Sequence, residues 1–189
     1  MNFEGKVAVI TGSSAGIGAE AAKKITSMGG RVTINYSKSK EAAEEVAHEC
    51  SHLGESPLII KSDIATDEGC KHIIDRAFSE FGAINILINN AGRTKFADHS
   101  KLDALQRDDF ENIFALNLNS NYELIKHARP HLARNKKSSI VNISSVAGLR
   151  GLGSSIAYAA SKGALISMTL ALSRSLGPDG IRVLSLIHI

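Results

Sequence analysis

Two hydrophobic periods alternate along the 189-residue chain. Short runs of consecutive apolar residues take turns with longer stretches in which apolar residues recur every three or four positions. Residues 6–11 open the series as a strand apolar on both faces, the pattern of a strand inside a parallel sheet. A glycine-rich turn and a helical stretch to Met28 follow, stopped by Gly29-Gly30. Residues 31–36 are predicted as the second strand. Residues 39–53 form a helix with Ala42, Ala43, Val46, Ala47, Cys50 and Leu53 on one stripe. Residues 57–60 make the third strand. Thr66 then caps a helix with Asp67 and Glu68 in its first turn and Cys70, Ile73, Ile74, Ala77, Phe78 and Phe81 on its inner face; Gly82 ends it. Residues 84–89 give the fourth strand.

A charged loop, 93–108, leads into one long predicted helix from Asp109 towards Ala133. Residues 140–143 read as the fifth strand, 148–155 as a Gly/Ser-rich loop, 157–176 as a helix and 181–187 as a sixth strand. Strands alternating with helices of this length imply right-handed βαβ crossovers. The predicted fold is α/β: a doubly wound parallel sheet of about six strands (a Rossmann fold) in three α/β/α layers. With no internal repeat or linker, residues 1–189 form a single predicted domain.

Composition narrows the classes. Hydrophobic residues make up 43% and charged residues 22%, which excludes a disordered chain. Lys+Arg 22 against Asp+Glu 19 leaves +3, and the longest basic run is Lys136-Lys137, so no nucleic-acid partner is expected. The opening residues 1–6 lack the apolar stretch of a signal peptide. No apolar run approaches the roughly 18 residues a bilayer requires, so no membrane partner is expected and the predicted location is cytoplasmic. Cys50 and Cys70 cannot form a disulfide framework and suit a reducing compartment.

The first turn, Thr11-Gly12-Ser13-Ser14-Ala15-Gly16-Ile17-Gly18, has the spacing G-x-x-x-G-x-G. Glycine lets a phosphate approach bare backbone, and the helix behind it offers free N–H groups. Gly12, Ser14, Gly16, Ile17 and Gly18 are therefore candidate cofactor-binding residues; a ligand-free tight turn is the competing reading. No lysine follows the last glycine as a nucleoside triphosphatase loop requires. A dinucleotide site also needs a ribose-binding residue about 20 positions on. That strand end reads Asn35-Tyr36-Ser37-Lys38, without an acid before Glu41. Ser37 and Lys38 suit a 2′-phosphate, so NADP(H) is preferred over NAD(H); a solvated surface lysine is the plainer account of Lys38.

Tyr158 and Lys162 stand at i and i+4 on one helical face. A free phenol transfers protons poorly at neutral pH, and a fixed ammonium beside it favours the phenolate. Such a phenol can give a proton to a carbonyl oxygen or take one from an alcohol. Ser144-Ser145 follows the fifth strand, at the edge where doubly wound sheets bind ligands. Asn117 interrupts the largely apolar stripe Phe110, Ile113, Phe114, Asn121, Leu124, Ala128, so its amide needs a structural or catalytic partner.

Together these residues resemble a classical short-chain dehydrogenase/reductase. The matching pieces are Thr11-Gly12-x-x-x-Gly16-Ile17-Gly18, Asp63-Ile64, Asn89-Asn90-Ala91-Gly92, Asn117, Ser145 and Tyr158-x-x-x-Lys162, spanning roughly residues 3 to 183. The resemblance implies Tyr158 as general acid/base, Lys162 as its electrostatic partner and nicotinamide-ribose ligand, and Ser145 as hydrogen-bond donor to the substrate oxygen. It implies that Asn117 holds a water linking Lys162 to solvent. Asp63 and Ile64 would flank the adenine, and Asn90, Ala91 and Gly92 would close the fourth strand against the cofactor. The implied substrate is a small carbonyl compound or secondary alcohol, with 3-oxoacyl thioesters as the class suggested. A homo-oligomer, dimer or tetramer, is implied through the helices bearing Asn117 and Tyr158. A non-catalytic dinucleotide-binding protein is the alternative, because residues 184–189 depart from the family pattern and suggest a truncated chain lacking a pocket wall and a seventh strand. His127/His131 and His48/His52 lack a visible third ligand, so no metal is expected.

Overall fold

The computed structural model describes residues 2–135 and 137–188. Met1, Lys136 of the basic pair and Ile189 of the closing segment lie outside the described residues. In chain order the elements are β1 (Val7–Ile10), α1 (Gly16–Thr26), β2 (Arg31–Tyr36), α2 (Lys40–Ser51), β3 (Leu58–Lys61), α3 (Asp67–Phe81) and β4 (Ile86–Asn89). They continue as α4 (Arg107–Phe114), α5 (Ser120–Leu132), β5 (Ser138–Ser145), α6 (Ala147–Arg150), α7 (Ile156–Leu176) and β6 (Ile181–His188).

The six strands form one parallel sheet in the order β3-β2-β1-β4-β5-β6. The chain winds outward from β1 to β3, returns to the centre at β4, and winds out the other way, so the strand order reverses between β1 and β4. One face packs against α3, α5 and the end of α7 through Cys70, Ile73, Ile74, Leu124, Leu132 and Leu176. The other packs against α1 and α2 through Ala19, Ala22, Ile25, Ala43, Val46 and Cys50. The three-layer doubly wound architecture is the predicted one. The central strands have no polar face: β1 is buried at all four positions, which is why its sequence reads as a continuous apolar run.

Local signals hold at several boundaries. Thr66 caps α3 by accepting from the Gly69 N–H at 3.1 Å, and Gly82 ends that helix at φ +69. Both cysteines are buried free thiols. Several expectations need correction. Leu53 lies past the end of α2 and is exposed, since the helix stops at Ser51. Phe110 is likewise exposed rather than on the buried stripe. The long helix over 109–133 is two helices, α4 and α5, joined by a π turn over Ala115–Asn119. Side chains just beyond satisfy carbonyls of that wide turn: Ser120 Oγ donates to Leu116 O at 2.5 Å and Asn121 Nδ2 to Asn117 O at 2.9 Å. Finally, α7 does have the length and apolar composition of a membrane-crossing helix. Its inner face packs on β5 and β6, and its own Lys162 and Leu165 are buried there. The Gly/Ser-rich loop also contains the short α6, whose Gly148 sits so close to α7 that a Cβ there would come within 2.6 Å of Gly163 N.

Residues 181–188 pair with β5 along its whole length, from Ser138↔Ile181 to Ser145↔His188.

Leu87 is fully buried in β4, in register with Val9 and Ile140 on its two neighbours. Leu87→Ala should cost about 2–5 kcal/mol, read as a lower urea midpoint at unchanged slope. An unchanged midpoint would mean that this central position is not close-packed.

Candidate active site

The site is built where β1 and β4 end side by side. Thr11 Oγ1 accepts from the backbone N–H groups of Asn90 and Ala91 at 3.0 and 3.1 Å. Asn90 returns the contact, its Nδ2 donating to Thr11 O and Gly12 O at 3.0 Å each. The two backbones come so near that a Cβ on Gly12 would lie 2.9 Å from Ala91 Cα. Asn35 ties in the third strand end: its Oδ1 accepts from Gly12 N at 3.1 Å while its Nδ2 donates to Ile60 O and Ser62 O.

Two clefts open along this edge. The first, about 390 Å³, is lined by Gly12, Ser14, Ser37, Lys38, Asp63, Ile64, Asn90, Ala91, Gly92 and Arg93, among others. It receives most of the residues expected to bind a cofactor. Gly18 lies beneath it, where a Cβ would strike Asn90 Nδ2 at 2.5 Å, and Gly16 turns the chain at φ +56; neither lines the cleft. The start of α1 suits an anion: no side chain caps it and no acid sits in its first turn, unlike the Thr66-capped α3. These features fit a dinucleotide, with its pyrophosphate at the glycine turn.

The second cleft, about 460 Å³, shares Asn90, Gly92 and Arg93 with the first and adds Ile17, Ser144, Ser145, Tyr158 and Lys162. Ser155 caps α7 by accepting from Tyr158 N at 3.2 Å, which fixes the half-buried tyrosine in the first turn of the helix. One turn on, Lys162 Nζ lies 5.8 Å from the Tyr158 ring centroid and donates to Ile143 O at 2.7 Å. Lys162 is 4% exposed, and burial pushes its ammonium down to about 8. Ser144 is turned away, donating to Lys162 O at 3.2 Å. Ser145 accepts from Ala147 N at 3.1 Å, which leaves its hydroxyl hydrogen free for another acceptor.

Asn117 lines neither cleft. It stands behind the wall, fully buried, with its Oδ1 accepting from Arg93 N at 2.8 Å and its Nδ2 donating to Arg93 O at 2.9 Å and Ser161 Oγ at 3.0 Å. Ser161 Oγ donates in turn to Tyr158 O at 2.7 Å. One amide therefore holds both the loop after β4 and the helix bearing Tyr158. Thr11 opens the glycine motif, but Asn35, Arg93 and Ser161 are site-building residues to which the sequence motifs gave no role. Asn35 carried a signal in its polarity at the end of an apolar strand; the others became visible only when the chain was folded.

One expectation about metals changes. Asp67 and Glu123 do come beside His127, their donor atoms together with the histidine nitrogen lying within 4.8 Å of one another. Lys126 already pairs with both carboxylates, and His127 Nε2 meets Asp67 Oδ1 at 2.9 Å. His131 turns elsewhere and stacks on Phe78 at 4.0 Å between centroids.

A family model described as short chain dehydrogenase matches residues 6–187. The chain belongs to that family. It is accordingly an NAD(P)-dependent oxidoreductase. It is 33% identical over 178 residues to the 3-oxoacyl-[acyl-carrier-protein] reductase FabG of Staphylococcus aureus, covering 94% of this chain and 71% of that one. A short chain dehydrogenase from Burkholderia cenocepacia, solved in complex with NADP, superposes with a TM-score of 0.91 at 35% identity, covering 98% of this chain and 74% of that one. The NAD+-bound xylitol dehydrogenase structure gives 0.91 at 27% identity, covering 98% and 70%. The family supplies the cofactor class.

The buried lysine makes a pH-dependent prediction. Its folded pKa, about 8, lies below the ordinary 10.5. Below pH 8 both folded and unfolded chains hold the proton, and the folded state carries the full burial cost. Between pH 8 and 10.5 only the unfolded chain holds it, so stability rises with pH there. Lys162→Met removes this dependence. Its stability relative to wild type, measured by urea denaturation, should fall by about 2–3 kcal/mol from pH 7 to pH 10. A pH-independent difference would refute the burial of a charged ammonium.

Proposed function

We propose that the chain is an NADP(H)-dependent carbonyl reductase that in reverse oxidises a secondary alcohol. The observation that carries this reading is the shared wall: the cleft holding Tyr158, Lys162 and Ser145 opens directly onto the cleft at the glycine turn, with Asn90, Gly92 and Arg93 common to both. The glycine turn, with Asn90, Ala91 and Gly92, would hold a nicotinamide cofactor, which when bound would supply the hydride for the carbonyl carbon. The protein's part is then positioning and proton transfer. Ser145 donates a hydrogen bond to the carbonyl oxygen and orients it. The Tyr158 hydroxyl gives that oxygen its proton, and the Lys162 ammonium one helical turn away stabilises the negative charge left on the phenolic oxygen. Asn117 acts as a positioning residue. The missing side chain at Gly92 leaves a gap between Asn117 Oδ1 and Lys162 Nζ, each within 4 Å of where a Cβ would stand. That gap supports the water implied there as a relay to solvent.

Preference for NADP(H) rests on the adenosine end of the first cleft. Ser37 and Lys38 line it at the tip of β2, and Asp63 is the one acidic residue in its lining. The Burkholderia cenocepacia neighbour, bound to NADP, supports the same reading. Among carbonyl substrates, 3-oxoacyl thioesters are suggested by the relative named for that reduction. Assembly with a second copy is supported by the outer faces of α5 and α7, where Tyr122 and Leu170 are exposed and Leu118, Tyr122 and Met168 line a shallow cavity.

NADPH oxidation followed at 3-oxoacyl thioesters and simple ketones tests the reaction. Tyr158→Phe should slow turnover by roughly 10²–10⁴-fold while NADPH still binds. A wild-type chain that binds NADPH but turns over no faster than the variant would be a dinucleotide-binding protein without this chemistry. Lys38→Glu should weaken NADPH roughly tenfold more than NADH, seen by fluorescence titration. Equal losses for the two cofactors would overturn the NADP(H) preference.

A further inference from the structure

Arg93 follows the Asn90-Ala91-Gly92 strand end and lines both clefts. Its backbone is the one the Asn117 amide grips, at 2.8 Å on the N–H and 2.9 Å on the carbonyl. The backbone that carries this side chain is therefore fixed by the same amide that braces the helix of Tyr158. The residue itself is exposed. Among the described residues no carboxylate lies within 4.0 Å of its guanidinium. The charges around it are lopsided. Lys38, Arg93 and Lys162 line the two clefts against Asp63 alone. Lys38 stands at the adenosine end, and Lys162 is buried and committed to Ile143 O. Among the described residues Arg93 is thus the cleft cation left without a protein partner near the reacting end. A guanidinium carried on a fixed backbone, with free donors, is suited to gripping a carboxylate or phosphate in bidentate fashion.

We propose that Arg93 is a specificity-determining residue that pairs with an anionic group, a carboxylate or phosphate, carried by the carbonyl substrate. The inference rests on the reductase reading above and adds the charge of what is reduced. Phe96, 85% exposed on the same cleft wall, leaves an apolar surface for the rest of such a substrate.

A matched pair of ketones tests the pairing: acetoacetate, an anion, and its neutral ethyl ester. The full chain with NADPH is compared with Arg93→Gln and Arg93→Lys, the fold being checked by circular dichroism. Arg93→Gln should lower kcat/KM for acetoacetate by at least tenfold more than for the ester, mainly through KM, and Arg93→Lys should recover part of the loss. Raising the salt concentration should erode the preference in wild type and leave Arg93→Gln unmoved. Equal losses on both ketones would overturn the proposal. Weaker NADPH and NADH binding with no discrimination between the ketones would also overturn it, because the anion would then be the cofactor's own. If the wild-type chain reduces neither ketone, the reductase reading fails for these substrates, and binding to the NADPH complex still decides the role of Arg93. Acetoacetate seen by saturation-transfer NMR on wild type and lost in Arg93→Gln would support it; equal signals, or none on either, would overturn it.

Discussion

Two parallel strands that end side by side, their backbones in close approach at Gly12 and Ala91, set the terms for the rest of this molecule. β1 and β4 are neighbours in space although β2 and β3 intervene in the chain, so their ends diverge into loops that run opposite ways. A crevice must open there. Its floor stays clear because a Cβ on Gly12 would strike the Ala91 backbone and a Cβ on Gly18 would strike the Asn90 side-chain amide. Thr11 and Asn90 then close the seam by exchanging hydrogen bonds across it. The polar residues beneath the crevice hold together what the glycines allow to approach.

Around that seam the structure accepts costs. The largest is Lys162, a cation buried to the point that its proton is loosened, with Ile143 O as its hydrogen-bond acceptor. A hydrocarbon side chain would be less expensive to bury there. The π turn at Ala115–Asn119 is a second departure from regularity. It lets one amide reach the loop after β4 and the helix α7 at once, with Ser120 and Asn121 restoring hydrogen bonds that the wide turn disturbs.

Much of this was legible in the sequence, for reasons that differ by element. Strands buried on both faces betray themselves as apolar runs, and Thr66 and Gly82 mark the ends of α3 because a cap and a left-handed residue are local needs. The glycine turn and the tyrosine–lysine spacing could be read because each is set within one turn of backbone. The break in the long helix could not. It depends on Asn117 finding partners 24 and 44 residues away, and an amide on an otherwise apolar stripe does not say where those partners lie. Of the acids beside His127, Glu123 stands one helical turn before it and was there to be read, whereas Asp67 is 60 positions distant and arrives only when α3 packs on α5. Arg93 looked like the start of a charged loop until the fold placed it between two clefts.

All six strands point the same way, so every loop leaving a strand tip emerges on a single rim. The three strands from β1 outward to β3 furnish the half of that rim where Lys38 and Asp63 stand; β4 and β5 furnish the half where Arg93 and Tyr158 stand. This divides labour by geography. Changes in the loops at 94–106 or 146–155 redraw the second cleft while leaving the lining of the first intact, so such a scaffold can exchange its clientele without rebuilding its engine.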